Sequence, residues 1–225
     1  MTSSTVKGAA AASDGRSRRW QEHKLARRHE FVDAAVTAIR VDGERTGLDA
    51  ICAVAGVSKP VIYRHFRDKA DLFRAVLHQI ASEIFLPRIA AELDPEQGDE
   101  EILRAAIGAY VGLVSEEPQL YRFVFAHNAL GERGDFVASM EDAVAQALVG
   151  LISRRLAEAG RPSFAAEPWA YGIVGMVQLA THRWVDRQTA SQDELVELLV
   201  SLAWQGLMQV APEEPSETSR HTRLL

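Results

Sequence analysis

The sequence predicts an all-α protein in two parts, a three-helix helix-turn-helix domain followed by a larger helical domain. Apolar residues recur at spacings of three and four through most of the chain, and no stretch alternates apolar and polar residues as a strand would. Gly, Pro and Asp punctuate these runs at helical lengths. At 225 residues and 47% hydrophobic, the chain can bury a sizeable core. The expected boundaries are an arm over 1–15, the helix-turn-helix domain over 16–67, the second helical domain over 68–210 and a tail over 211–225.

Residues 1–15 are small and polar with nothing to pack, and are expected to be disordered, as is the tail APEEPSETSRHTRLL. The first helix is predicted from about Trp20 to Val41, on Leu25, Phe31, Ala35, Val36 and Ile39, with Lys24, Arg27 and Arg28 on its other sides. Asp42 and Gly43 end it. In the next stretch Leu48, Ile51, Cys52 and Ala55 keep helical spacing until Gly56, where only glycine takes the left-handed conformation without a Cβ penalty. Ser58 then restarts a helix as a natural N-cap, with Pro60 in the first turn, where a missing N–H breaks no bond. Two short helices joined by so tight a turn are a helix-turn-helix.

In the second of these helices Ile62 and Phe66, with Val57, face inward. The opposite face carries Lys59, Pro60, Tyr63 and Arg64, flanked by Val61 and His65. These residue types suit a DNA groove: cations and hydroxyls for phosphates, Arg for a guanine edge, Val or Pro for a thymine methyl. Lys59, Tyr63, His65 and Lys69 are expected on phosphates, and Pro60, Val61 and Arg64 on bases. Asp68 caps the following helix with Asp71 at its third position, which puts Lys69 at an anion-attracting helix N-terminus. Arg16, Arg18 and Arg19 read equally well as a minor-groove arm or as a solvated charge run.

The run Ser58-Lys59-Pro60-Val61-Ile62-Tyr63-Arg64-His65-Phe66, with Lys69 and Leu72 after it, resembles the DNA-binding signature of the TetR/AcrR family of bacterial transcriptional regulators. The resemblance covers residues 25–75, and the helical remainder has the length that family uses. Two positions depart from its pattern: Gly47, where Ser or Thr is usual, and Asp42-Gly43, where a Gly-aromatic pair is usual. Thr46 is expected to take over the capping role and to join the DNA-binding set. The resemblance implies a C-terminal ligand-binding and dimerisation domain, with a helix that transmits ligand binding to the DNA-reading heads.

Charge supports the same division. Residues 1–80 hold 14 Lys and Arg against 9 Asp and Glu, whereas 81–225 hold 11 against 22. DNA is expected to meet only the basic N-terminal end. The single cysteine, Cys52, excludes an internal disulfide and reads as packing. With no leader-like segment and no apolar run of membrane-spanning length, a cytoplasmic protein with no membrane partner is expected.

The fourth helix is predicted from Lys69 towards Ile89, kinked or ended by Pro87. After a loop at Asp94–Asp99, five helical stretches follow: Glu100–Ser115, Pro118–Leu130, Asp135–Ala159, Pro168–Arg187 and Ser191–Val210. Pro168–Thr181 contains no charge, and Leu195, Leu198, Leu199 and Leu202 are joined by Val196, Ala203, Gly206 and Leu207 on a neighbouring stripe. Two apolar stripes predict a four-helix homodimer interface, with a helix buried inside one subunit as the alternative.

On the helices that enclose the pocket in TetR-like proteins lie Tyr110, Tyr121, Phe125, His127, Asn128, Tyr171, Met176, Gln178, His182 and Trp184, a mixed lining suited to a small hydrophobic effector. The seven histidines lack metal-binding spacing, and no nucleotide or hydrolase motif occurs, so neither a metal, a cofactor nor an enzyme activity is expected. The reading is a homodimer that binds a palindromic double-stranded operator, represses transcription and is released by its effector. A ligand-insensitive DNA-binding or protein-interaction module is the alternative.

Overall fold

A computed structural model describes the backbone of residues 5–92, 94, 96–128 and 134–208, and the side chains of 20–92, 94, 96–127 and 141–207. Among the described residues every regular element is helical. The chain divides into two compact units, Met1–Glu83 with Gln119–Arg133, and Ile84–Pro118 with Gly134–Leu225.

In the first unit, α1 (Thr5–Asp42) packs on α2 (Leu48–Ala55) and α4 (Lys69–Gln79), with the short α3 (Lys59–Ile62) beside α2. Phe31, Ala35, Val36 and Ile39 of α1 are buried as expected, but Leu25 is exposed, because the buried stripe of this helix starts only at Phe31. Helix α1 begins at Thr5 rather than near Trp20, running through Ala9–Ala12, the strongest helix former. Residues 1–4 of the expected arm, the side chains of Arg16, Arg18 and Arg19, and the tail lie outside the described residues.

The turn between α2 and α3 has the geometry its sequence implies. Gly56 is left-handed (φ 64°, ψ 31°), and Val57 N–H donates back to Cys52 O at 3.1 Å, closing the end of α2. Ser58 is extended, as an N-cap should be, but its hydroxyl makes no capping bond. Asp68 does cap α4, its carboxylate accepting from Asp71 N–H at 2.7 Å.

Helix α4 differs from expectation at its end. It stops at Gln79, a π-helical turn spans Ile80–Phe85, and α5 (Leu86–Ala91) follows with Pro87 in its first turn. Proline cannot donate to the preceding turn, and widening that turn accommodates the loss without ending the helical path. Helix α7 (Pro118–Asn128) completes the first unit: Phe123 and His127 contact the buried Phe73 of α4 edge-on at 5.2 and 5.1 Å. Sequence placed both helices with the regulatory part; α4 clusters with the N-terminal one through its packing on α1, and these ring contacts bring α7 with it.

The second unit holds α5, α6 (Asp99–Glu116), α8 (Gly134–Glu158), α9 (Ala166–Arg187) and α10 (Gln192–Met208). Its core joins Leu103, Ile107 and Val111 of α6 to Val177 and Trp184 of α9 and to Val196, Leu199, Val200 and Ala203 of α10. A smaller cluster joins Ile152 and Leu156 of α8 to Ala166 and Ala170 of α9. Arg155 of α8 donates to Asp99 at 2.5 Å and lies 4.9 Å from the Trp204 ring, and Arg104 pairs with Glu100 and Glu197.

A methyl group at Gly56 would meet nothing within 4 Å, so the cost of Gly56→Ala comes from its left-handed backbone alone. The expected loss is about 1–2 kcal/mol, read from urea unfolding followed by circular dichroism.

Candidate nucleic-acid interface

The outer face of α3 is built by what holds its inner face. Ile62 and Phe66 are fully buried, which turns Ser58, Lys59, Pro60, Tyr63 and Arg64 to solvent as one contiguous patch, with Val61 half-buried at its edge. Helix α3 has one α-helical turn and is continued by tighter bonds, Arg64 N to Val61 O at 3.3 Å and His65 N to Ile62 O at 2.9 Å. Lys69 is exposed at the start of α4, its ammonium 4.8 Å from the Phe73 ring.

Two of the residues expected on DNA, Thr46 and His65, turn inward. Thr46 is only 3% exposed, and its hydroxyl donates to Gly43 O at 2.7 Å, so it does not cap α2, whose N-cap is Gly47 without a side-chain bond. Gly43 carries a positive φ of 60° at that turn, a conformation that glycine tolerates. His65 packs edge-on against Phe31 at 5.3 Å, and its Nδ1 is buried without a partner. Burial first, and then Arg27 and Lys24, push its pKa down, which disfavours its charged form.

Sequence reasoning missed two neighbours of this face. Asp49 of α2 pairs with Lys59 at 2.7 Å and holds the Lys59 pKa up. Its carboxylate is a negative charge beside the exposed face of α3. Arg28 of α1 donates to His65 O at 2.7 Å and to Asp71 at 2.9 Å, keeping the Asp71 carboxyl below its usual range. In the sequence Arg28 is only a charge off the apolar side of α1. Its distance in sequence from both partners left no periodic signal.

The expected effector-binding residues fall in both units. Tyr121, Phe125 and His127 belong to the first unit, where Tyr121 is buried against Phe125 at 4.5 Å and His127 Nδ1–H donates to Phe123 O at 2.9 Å. Tyr110, Tyr171, Met176, Gln178 and His182 belong to the second. Of these, Tyr110 and Met176 pack against the α6–α9–α10 core, and His182 is half-buried. Tyr171 is exposed and donates to Asp142, and Gln178 donates to Glu141 at 2.5 Å, so both tie α9 to α8. Trp184 spends its N–H on Ala190 O at 2.8 Å, and the Asn128 side chain lies outside the described residues.

Residues 31–76 match the family model for bacterial regulatory proteins of the tetR family, and residues 88–219 match the model for the tetracyclin repressor-like C-terminal domain. An HTH-type transcriptional regulator of Mycobacterium tuberculosis is 42% identical over 195 residues, covering 87% of this chain and 83% of that one. The HTH-type transcriptional activator FasR of Mycolicibacterium smegmatis is 30% identical over 167 residues, covering 73% and 74%. A TetR-like transcriptional regulator from a Rhodococcus species superposes with a TM-score of 0.63 at 26% identity, over 80% of this chain and 94% of that one.

Two substitutions check the interface. Tyr63→Ala, at an exposed position, should leave folding intact and weaken duplex binding about tenfold, the size of one charge-assisted hydrogen bond. Asp49→Asn should strengthen duplex binding about threefold at low salt, an effect that fades as salt screens it. Fluorescence-anisotropy titrations across a salt series read both.

Proposed function

The chain belongs to the TetR family of bacterial transcriptional regulators, which are not enzymes, and from that premise we propose that it acts as a homodimer on a palindromic operator, represses transcription by occupying it and is released by a small hydrophobic effector. The observation that carries this reading is the exposed patch Ser58–Arg64, which presents phosphate-binding and base-reading side chains on a helix anchored from behind. A single such helix reads few base pairs. Two, related by a twofold axis, read half-sites about one helical turn or a multiple of it apart.

The dimer reading has its own support. In α10, Val196, Leu199, Val200 and Ala203 are buried, while Leu198 and Leu202 on the other side are 65% and 63% exposed. Leu179 of α9 is 71% exposed in line with Gly172 and Gly175, at which an added Cβ would meet nothing within 4 Å. Apolar stripes left open on two helices of one chain suit a second copy of the same pair. No helix among the described residues is long and apolar enough to cross a membrane, so a bilayer-spanning role does not account for them.

For release, Tyr110, Met176 and His182 in the second unit are the residues we assign to the effector, since Tyr110 and Met176 border its apolar core and His182 is half-buried on the same helix as Met176. An effector that favours a non-binding arrangement by about 3 kcal/mol lowers DNA affinity roughly a hundredfold. FasR is named an activator, which gives the opposite regulatory sign a footing. A reporter placed behind the recovered operator decides between them.

The reading is tested by selecting fragments of the source genome with the purified protein at near-physiological salt and sequencing those retained. A shared palindrome is the expected result; fragments without a common motif would transfer support to the ligand-insensitive module. Joint Leu198→Glu and Leu202→Glu substitution should turn the dimer into a folded monomer in analytical ultracentrifugation. The palindrome should then be bound no better than a half-site.

A further inference from the structure

The DNA-facing helix ends where it cannot satisfy itself. After Ile62 the chain closes on Val61 O and Ile62 O, with N–H groups of Arg64, His65 and Phe66, so the carbonyls beyond Ile62 need donors from elsewhere. Arg28, 37 residues away on α1, brings one: its Nη1 donates to His65 O at 2.7 Å. Its Nη2 donates to Asp71 Oδ1 at 2.9 Å, and its guanidinium carbon sits 4.0 Å from the centre of the Phe66 ring.

Asp71 is itself a junction. It is 15% exposed, accepts from Arg67 N–H at 3.1 Å and donates its own N–H to the cap Asp68 at 2.7 Å. One guanidinium therefore grips the last residues of the α3 turn, the loop after it and the first turn of α4. A planar fork with several donors can do this, whereas the single ammonium of lysine cannot hold both ends at once.

We propose that Arg28 is the positioning residue of the DNA interface, fixing the base-facing residues Pro60–Arg64 relative to Lys69 without touching DNA itself. This rests on the reading of α3 as the groove helix. The guanidinium is stacked on Phe66 and aimed at His65 and Asp71, which leaves it turned away from the outer patch. Base contacts depend on register, whereas attraction to phosphates survives small displacements. Loss of Arg28 therefore costs discrimination between sequences and spares general affinity for duplex DNA.

The test compares the full-length protein with Arg28→Met and Arg28→Lys on two duplexes, a genomic fragment recovered by the selection and a shuffled sequence of the same length. Arg28→Met is expected to bind the recovered fragment at least tenfold more weakly and the shuffled duplex within twofold of the parent, with the salt slope unchanged. Arg28→Lys, which keeps the charge and is the variant to use should the Met form not fold, is expected to show the same split at smaller size. An equal fall on both duplexes with a shallower salt slope would make Arg28 a phosphate contact and overturn the proposal, as would no change on either. A second readout needs no DNA: amide hydrogen exchange at residues 63–66 and 69–71 should quicken at least tenfold in Arg28→Met while α2 is unchanged. Unaltered exchange there defeats the clamp even if an operator has been found. Quickened exchange with no recoverable operator upholds the clamp and faults the DNA reading instead.

Discussion

A helix of one α-helical turn has no stability of its own, because nucleation costs more than so few hydrogen bonds return. The surface proposed to meet DNA is built on such a helix, Lys59–Ile62, and the rest of the first unit is arranged to hold it. Ile62 and Phe66 anchor it from beneath, the left-handed Gly56 sets its direction of entry, and Arg28 holds its exit. The side chains that do the holding and those that face outward are separate sets. An outward residue can therefore change with little effect on folding, which is how one scaffold can serve many DNA sequences.

Charge follows the same separation. The first 80 residues carry a net excess of five positive charges and the remainder an excess of eleven negative ones. In the second unit Arg88, Arg104 and Arg155 are each engaged with carboxylates, on Glu116, on Glu100 and Glu197, and on Asp99. Those cations serve packing between helices. The chain's acidic balance is thus a property of one part, and it coexists with a DNA-facing part that phosphates attract.

The elements were legible where a residue acts on its own neighbours. Gly56, Asp68 and Pro87 signal turn, cap and disturbance through local backbone chemistry, and each does so at the position read from sequence. The outward stripe of α10 was legible for a related reason, since Leu198 and Leu202 exceed what one buried face can use. Legibility fails where tertiary partners decide. Thr46 and His65 sit in irregular turns, where helical period does not say which way a side chain faces, and both turn inward. Tyr121 and Tyr110 look alike in sequence, yet α7 clusters with the first unit and α6 with the second. The wide turn at Ile80–Phe85 was also hidden, because proline announces a disturbance without specifying its form.

Cys52, the chain's one cysteine, sits nearly buried on the inner side of α2, with its thiol pushed towards the protonated form by burial and by Asp49. A thiol reagent reacts with thiolate and needs access, so modification must wait for α2 to lift from its packing. The labelling rate is then a built-in clock for how often the reading head loosens. It reports on that one helix because no other sulfhydryl competes for the reagent.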